Sequence, residues 1–231
     1  MKASSRRGLV ARISFPVAAA LALLLFVSCA SGPPEILGVE WTIESRPAGD
    51  SGNRSPHGDL AVFARVHDTE GMDDIEAMWI LNDAAELCWT LGPSSWMNRR
   101  LGSDDWLGAT GLSMPDGSAP PPGRYRAVVA DLAGDRAVYE FTIDKVRPDA
   151  GLPAPEWKGG RVSLAGAWPE NYLLAYDAAG GLLRSVVMSA GGGSLAALAG
   201  SADAGRTRAI AVYGYDPAKR RGAFSKRIPI P

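Results

Sequence analysis

Short apolar runs separated by clusters of Gly, Pro, Asn and Asp recur along most of the chain. Many of them are rich in β-branched and aromatic residues, which favours strands. Before residue 92 the pattern predicts strands at Ile36–Ile43, Leu60–His67, Ile75–Leu81 and Glu86–Leu91. Over so few residues the strand and helix periods cannot be separated, so helices at Asp73–Leu81 and Asp83–Leu91 remain the alternative to the last two.

The clearest local signal in the chain is a hairpin. An alternating apolar run begins at Tyr125, and a Gly-containing turn at Asp131–Arg136 leads into a second alternating run, Ala137–Ile143. Two such runs joined by a short turn predict a pair of antiparallel strands. The segment Gly92–Pro122 shows no regular pattern, and we expect it to be irregular, with an edge strand at Gly108–Met114.

This hairpin resembles the last two strands of bacterial Ig-like and fibronectin type III-like domains. In those domains Gly-x-Tyr opens the penultimate strand and Asp-x-Ala-Gly turns into the last, and Gly123–Tyr125 and Asp131–Gly134 fit these motifs. The resemblance covers residues 35–147 and implies a β-sandwich in which Tyr125 is the corner tyrosine. No inter-sheet disulfide pair is expected, because the lipidation described below would use one of the chain's two cysteines.

We therefore predict an all-β fold with two domains. An Ig-like β-sandwich covers residues 36–147, a Pro-rich linker covers residues 148–155, and a smaller β-domain covers residues 156–231. In the smaller domain the pattern predicts strands at Arg161–Ala165, Tyr172–Asp177, Leu182–Met188, Thr207–Tyr215 and Phe224–Ile230. A domain of about 80 residues has a limited core, so we expect it to pack against the first.

The N-terminal 28 residues have the pattern of a secretory signal peptide. Four Lys and Arg side chains occur there with no acidic residue, and Phe15–Val27 is an apolar run. This run is shorter than the roughly 20 residues that a membrane-spanning helix needs. The pattern therefore indicates export with removal of residues 1–28, and an uncleaved anchor is the alternative.

The end of this leader, Phe26-Val27-Ser28-Cys29, resembles the lipobox of bacterial lipoproteins, although Phe26 replaces the usual Leu. The resemblance implies that the Cys29 sulfur receives a diacylglycerol and that the new amino terminus is acylated, for example with palmitate. Residues 29–35 then form a short tether. Two or three acyl chains anchor a protein stably, so we expect a lipid-anchored protein of the cell envelope. Because Ala30 rather than Asp follows the cysteine, the chain resembles lipoproteins passed on to the outer membrane.

The whole chain has a net charge of −1, but the two parts of the mature chain carry net charges of opposite sign. Residues 30–151 hold 20 acidic and 10 basic side chains, whereas residues 152–231 hold 5 acidic and 10 basic ones. Three interpretations of the basic cluster from Lys219 to Arg227 therefore remain. It is a solvated turn, it contacts anionic lipid headgroups, or it contacts the acidic first domain. An exported lipoprotein is not expected to bind nucleic acid.

Two tryptophans embedded in polar sequence are the best candidates for ligand contact. Trp96 and Trp106 lie near Arg99 and Arg100, and exposed aromatic side chains beside polar groups stack on glycans or anchor protein partners. The alternative is that both rings fold back onto the core. We assign Trp96, Arg99, Arg100 and Trp106 as a candidate ligand-binding set.

Catalytic and metal-binding motifs are scarce. His57 and His67 have no recognisable nucleophile motif around them, and Gly-x-Ser-x-Gly is absent. We expect Cys88 to be a small buried hydrophobic residue. Two histidines and one remaining thiol do not supply spaced zinc ligands, so we predict neither a metal centre nor a cofactor.

One acidic segment leaves a question open. Asp68, Glu70, Asp73 and Asp74 surround Gly71, and such a density of carboxylates suits Ca²⁺, but their spacing does not match an EF-hand loop. A solvated acidic turn is the alternative. The sequence thus predicts a non-enzymatic, membrane-tethered module that binds or scaffolds an envelope protein or glycan; the alternative is an accessory protein that binds or processes envelope glycan through the Trp96–Trp106 loop.

Overall fold

The structure, a computed structural model, describes residues 32–48, 57–144, 151–166, 168–189 and 191–231. Within these ranges the fold is all-β, as the alternating pattern predicts. The strands are β1 (Glu35–Arg46), β2 (His57–His67), β3 (Ile75–Asn82), β4 (Leu87–Leu91), β5 (Met97–Leu101), β6 (Asp104–Leu112), β7 (Gly123–Asp131), β8 (Arg136–Ile143), β9 (Ala154–Lys158), β10 (Arg161–Ala165), β11 (Glu170–Tyr176), β12 (Leu182–Val187), β13 (Gly193–Ser194), β14 (Ala209–Asp216), β15 (Arg221–Phe224) and β16 (Ile228–Pro229). Two short helices, α1 (Leu195–Ala199) and α2 (Ser201–Arg206), follow β13.

The first half of the fold, β1 to β8, is a sandwich of two antiparallel layers. One layer has the strand order β1-β2-β6-β5 and the other the order β4-β3-β7-β8. This is the ABED and CFG arrangement of Ig-type sandwiches, with one extra strand beside the third. The inward-facing positions of both layers form a single core that includes Ile43, Leu60, Met78, Ile80 and Leu107, all at most 1% exposed.

Tyr125 is the corner tyrosine that the resemblance implies. Its ring is fully buried near the start of β7, and its hydroxyl donates a 2.7 Å hydrogen bond to the carbonyl oxygen of Pro121. Its ring stacks on Phe141 of β8, with 5.6 Å between the ring centroids. The link ties the chain that enters β7 to the core, as in other Ig-type sandwiches.

The second half, β9 to β16, has its own core. Strands β11, β12 and β14 form an antiparallel group, and β13-β10-β9 form a separate three-stranded sheet. Apolar side chains from both sheets and from α1 pack together, including Val162, Leu173, Leu195, Ile210 and Val212. Two β-domains, each with a hydrophobic core, therefore make up the described chain.

A parallel pairing joins the two halves edge to edge. Residues 43–45 of β1 pair with residues 221–223 of β15, and the result is one nine-stranded sheet with the order β12-β11-β14-β15-β1-β2-β6-β5, in which β16 also pairs with β14. Two guanidinium groups cross this seam in opposite directions. Arg46 lies 4.3 Å above the Phe224 ring, and Arg220 lies 5.1 Å above the Trp41 ring. Such cation–π contacts and the shared backbone bonds hold the halves together.

The structure corrects several local predictions. Residues 92–122 contain two strands, β5 and β6, rather than one edge strand in an irregular segment. Strands form at 75–82 and 87–91, so the helical alternative there is wrong. In the predicted linker 148–155, residues 151–153 have no regular structure and β9 begins at Ala154, while residues 148–150 lie outside the described ranges. Strands β9 and β13 and both helices were not predicted.

Candidate functional site

A groove crosses the solvent face of the nine-stranded sheet and passes over the seam between the halves. It has a volume of about 740 Å³. Because side chains alternate across a strand, the residues that face it are those that point away from the two cores. Besides Trp41, whose side chain belongs to the core of the first half, its aromatic residues are Phe63, Tyr172, Tyr213, Tyr215 and Phe224. We call this feature the aromatic groove.

Four rings of the groove form a contiguous platform. Tyr213 is central: its ring centroid lies 6.2 Å from that of Tyr172, 6.2 Å from that of Tyr215 and 4.6 Å from that of Phe224. Tyr172 and Tyr213 are cross-strand partners on β11 and β14, and Tyr213 and Phe224 are partners on β14 and β15. Registered pairing of three strands therefore fixes the platform.

Two glycines allow rings to lie flat on the sheet. A methyl group at Gly222 would overlap the hydroxyl of Tyr213 and lie 2.6 Å from its ring carbons. A methyl group at Gly108 would lie 2.8 Å from Cδ1 of Phe63. Both contacts are closer than a real Cβ tolerates. Glycine at these two positions therefore leaves room for the two rings on the floor of the groove.

A buried charged network supports the groove at the seam. Arg46 donates from Nε to Asp59 at 2.7 Å and from a terminal nitrogen to Glu44 at 3.2 Å. Glu44 and Asp59 are directly opposite each other on β1 and β2, and both are buried. Burial raises the pKa of Glu44, and the Arg46 charge and a hydrogen bond from Tyr213 oppose that shift. Burial and then the Glu44 charge raise the pKa of Tyr213, so its hydroxyl remains a donor.

Polar side chains border the rings. The Tyr172 hydroxyl donates a 2.6 Å hydrogen bond to Glu170, and this bond, ahead of burial, raises the pKa of Tyr172. Glu40, Thr42, Arg99, Thr110 and Ser185 line the rest of the groove. The combination of flat apolar surface with surrounding donors and acceptors suits a ligand that has both apolar faces and polar edges.

The predicted ligand-binding set is divided between different places. Arg99 lines the aromatic groove, and Trp106 lies opposite it on β6, half-buried. Trp96 packs, partly buried, against the core of the first half. Arg100 forms a 3.0 Å ion pair with Asp105. The structure thus joins Arg99 and Trp106 on one face of the β5–β6 hairpin and separates the other two from them.

A second groove, of about 720 Å³, lies on the opposite side of β1, between β8 and the turn at Lys219–Arg221. Glu140 and Asp144 line it together with these basic residues. The basic turn therefore faces the acidic first half, which was one of the three alternatives for it. With Arg220 already packed on Trp41, this groove mainly belongs to the junction of the two halves.

The histidines and the thiol do not form a nucleophilic centre. His57 is buried, and its Nε2 lies 3.6 Å from Asp59. The Ser113 hydroxyl donates to the same carboxylate at 2.8 Å, rather than to the histidine. The prediction that Cys88 is buried is wrong: it is exposed, because β4 is an edge strand whose Leu87, Trp89 and Leu91 side chains take the inward positions.

The acidic residues between β2 and β3 gather into a cluster without Asp73, which is exposed. One carboxylate oxygen from each of Asp68, Glu70 and Asp74 lies within 4.8 Å of the other two. Partial desolvation, followed by the charges of Asp68, Asp131 and Glu70, raises the pKa of Asp74. The segment is therefore a concentration of negative charge.

Residues 1–31, which include Cys29 and the first residues of the tether, lie outside the described residues. Among those that are described, no helix has the length and apolarity needed to cross a membrane. Comparison with known proteins finds no matching family model, no similar curated protein and no similar solved structure.

The aromatic groove was missed by sequence reasoning because its rings come from four strands in both halves. A weak signal exists in Tyr213-Gly214-Tyr215, where two aromatic residues alternate around a glycine and so share one face of a strand. Nothing in the sequence indicates that Phe63, about 150 residues earlier, faces the same groove.

Proposed function

We propose that this chain is a lipid-anchored envelope protein that binds a glycan in the aromatic groove and performs no chemistry on it. The observation that carries the proposal is the platform of Tyr172, Tyr213, Tyr215 and Phe224 on three adjacent strands of the second half, which the groove extends across the seam to Phe63 of the first half. The C–H faces of sugar rings pack on aromatic rings, and sugar hydroxyls bond to polar groups at the edges. The bordering residues supply such groups.

The location of the groove favours a glycan over an extended peptide. A peptide that adds to a sheet uses the free backbone groups of an edge strand. Here the groove lies on the face of the sheet, and β11, β14, β15, β1 and β2 beneath it all have strand neighbours on both sides. A ligand must therefore be held by side chains alone.

The carboxylates near the groove support binding rather than hydrolysis. Glycoside hydrolysis needs two carboxyl groups on opposite sides of the scissile bond. Glu44 and Asp59 are both held by the guanidinium of Arg46, and Asp59 is only 2% exposed. Glu40 lies four residues from Glu44 on the same strand, a separation of about 13 Å between their Cα atoms.

The anchor is part of the same proposal. Five residues lie between Cys29 and Glu35, where β1 begins, and the six steps of a fully extended chain between them span about 20 Å. An acylated Cys29 therefore keeps the folded part close to the membrane surface. The proposed location is the outer membrane, because the leader ends in a lipobox pattern and Ala30 rather than Asp follows the cysteine.

Binding is tested by titrating the full chain, purified in detergent, with soluble peptidoglycan strands and following heat release. Removal of one ring by Tyr172→Ala or Tyr215→Ala weakens binding about two- to tenfold, because a stacked aromatic contact contributes about 0.5 to 1.5 kcal/mol. Trp79→Ala, on β3 of the opposite layer of the sandwich, is the control and leaves the affinity unchanged. Loss of binding in Trp106→Ala alone favours the alternative site, the Trp96–Trp106 loop.

Two other results contradict parts of the proposal. If no glycan binds, and if the chain captures a specific envelope protein that Tyr215→Ala no longer captures, the ligand of the groove is a protein and not a glycan. The anchor is checked by counting thiols in the denatured mature protein: one, from Cys88, if Cys29 is acylated, and none in Cys88→Ser. A count of two refutes acylation.

A further inference from the structure

The acidic segment between β2 and β3 has a buried neighbour that the sequence does not reveal. Asp131, at the end of β7, is fully buried. The backbone N–H of Leu132 donates a 2.8 Å hydrogen bond to the carbonyl oxygen of Asp74, which fixes Asp131 beside the cluster of Asp68, Glu70 and Asp74. Three carboxylates of the β2–β3 turn therefore cluster at this end of the sandwich, and the charge of a fourth, Asp131, acts on one of them, Asp74.

Two of these carboxylates carry oxygens without hydrogen-bond partners. Oδ1 of Asp131 accepts from the backbone N–H of Asp135 at 2.8 Å, but its Oδ2 is buried and has no donor among the described residues. Asp68 is 9% exposed and shows the same division: Oδ1 accepts from the N–H of Glu70 at 2.8 Å, and Oδ2 has no donor there.

Unpaired carboxylates are costly to bury, and a cation removes that cost. Among the described residues, no Lys or Arg forms an ion pair with Asp68, Glu70, Asp74 or Asp131. The nearby Arg65 and Arg100 form ion pairs with Asp104 and Asp105 instead. The unused oxygens therefore require either water or a metal ion.

We propose that Asp68, Glu70 and Asp74 bind one Ca²⁺ ion at the β2–β3 turn, and that the buried, unpaired charge of Asp131 beside them adds to its attraction. Calcium takes oxygen ligands at 2.3–2.6 Å, so two ligands on opposite sides of one ion lie about 4.6–5.2 Å apart. The oxygens of the three carboxylates lie within 4.8 Å of one another, so all three can reach one ion of that size. Magnesium requires a near-ideal octahedron and retains most of its waters, so a site made mainly of carboxylates on a turn favours calcium.

The ion links the two layers of the sandwich. Strand β2 belongs to the nine-stranded sheet, whereas β3 and β7 belong to the opposite layer. Glu35 pairs with His67, the residue before Asp68, so this is also the end at which β1 starts. The site is independent of the aromatic groove, and its test does not depend on glycan binding.

The test is thermal unfolding of the full chain in detergent, in 10 mM CaCl₂, in 10 mM MgCl₂ and in NaCl of equal ionic strength. An affinity in the 0.1–1 mM range, usual for extracellular calcium modules, raises the melting temperature by about 3 to 6 °C or more in calcium. Magnesium gives less than half of that shift. Calorimetric titration of the parent with CaCl₂ reports about one site.

Matched variants separate a site from a general charge effect. Asp68→Asn and Asp74→Asn each remove a ligand and abolish most of the calcium shift. Asp73→Asn removes an exposed carboxylate of the same segment that is not in the cluster and keeps the full shift. Asp131→Asn, if it folds, is more stable than the parent without calcium and responds less to it.

Three results overturn the proposal. The first is no calcium shift in the parent and no heat of binding, which assigns the unpaired oxygens to water. The second is an equal shift in calcium and magnesium, and the third is an equal loss of the shift in Asp73→Asn and Asp74→Asn.

Discussion

Replacing Gly222 by alanine tests whether the aromatic platform is packed as described. The added methyl group would overlap the hydroxyl of Tyr213 and lie 2.6 Å from its ring carbons, so the ring must leave its place between Tyr172 and Phe224. Overpacking of this kind costs about 1 to 3 kcal/mol. For a protein of this size that corresponds to a fall in melting temperature of about 2 to 12 °C.

A double-mutant cycle isolates the contact. In a Tyr213→Ala background the methyl group at Gly222 meets no ring, so the second substitution costs less than about 0.5 kcal/mol. The expected coupling between the two positions is therefore about 0.5 to 3 kcal/mol. Gly38→Ala on β1 is the control, because nothing lies within 4 Å of its added methyl group.

The assay is denaturant unfolding of the full-length protein in detergent, followed by tryptophan fluorescence. Gly38→Ala is expected within about 0.5 kcal/mol of the parent. If Gly222→Ala is as stable as Gly38→Ala, or if its cost is the same with and without the Tyr213 ring, the packing of the platform is not as described.

Further outcomes concern other parts of the fold. Tyr125→Phe removes the buried bond to Pro121 and lowers the free energy of unfolding by about 1 to 3 kcal/mol; an unchanged denaturation midpoint argues against a corner role. Because burial raises the pKa of Glu44 above 4.5, the folded parent binds its proton more tightly than the unfolded chain and loses stability as the pH rises from 4.5 through the folded pKa. The melting temperature of Glu44→Gln relative to the parent should therefore increase over that window, and a constant difference from pH 4 to 8 would show that Glu44 titrates normally. Cys88, being exposed, should react with a thiol reagent in the native protein as fast as in the denatured one; protection in the native state would contradict its position.

The sandwich was predictable because its evidence is local. Alternating apolar residues and the Asp131–Gly134 turn predict the hairpin of β7 and β8. The corner role of Tyr125 follows from its position at the start of that hairpin. Hairpin β5–β6 escaped prediction because every residue of β5 is exposed at the edge of a sheet, which leaves no apolar alternation to detect.

The candidate site was largely unpredictable for a different reason. Its platform forms where β11, β14 and β15 pair, and Phe63 shares the groove because Glu44 of β1 lies beside Gly222 of β15, a pairing between residues nearly 180 positions apart. Local patterns predict which residues of a strand share a face, but not which strands become neighbours. Arg99 was identified from its polar, aromatic surroundings, whereas Tyr213 and Phe224 looked like ordinary residues of two short strands.

The late position of β15 in the chain also affects how the protein reaches its final state. Until Arg221–Phe224 has been synthesised, β1 has a partner only on its β2 side, and its other backbone groups near Ile43 are open to strands of other molecules. The unfinished chain is therefore prone to pair with other chains through this edge. A version truncated before Arg221 keeps that edge exposed permanently.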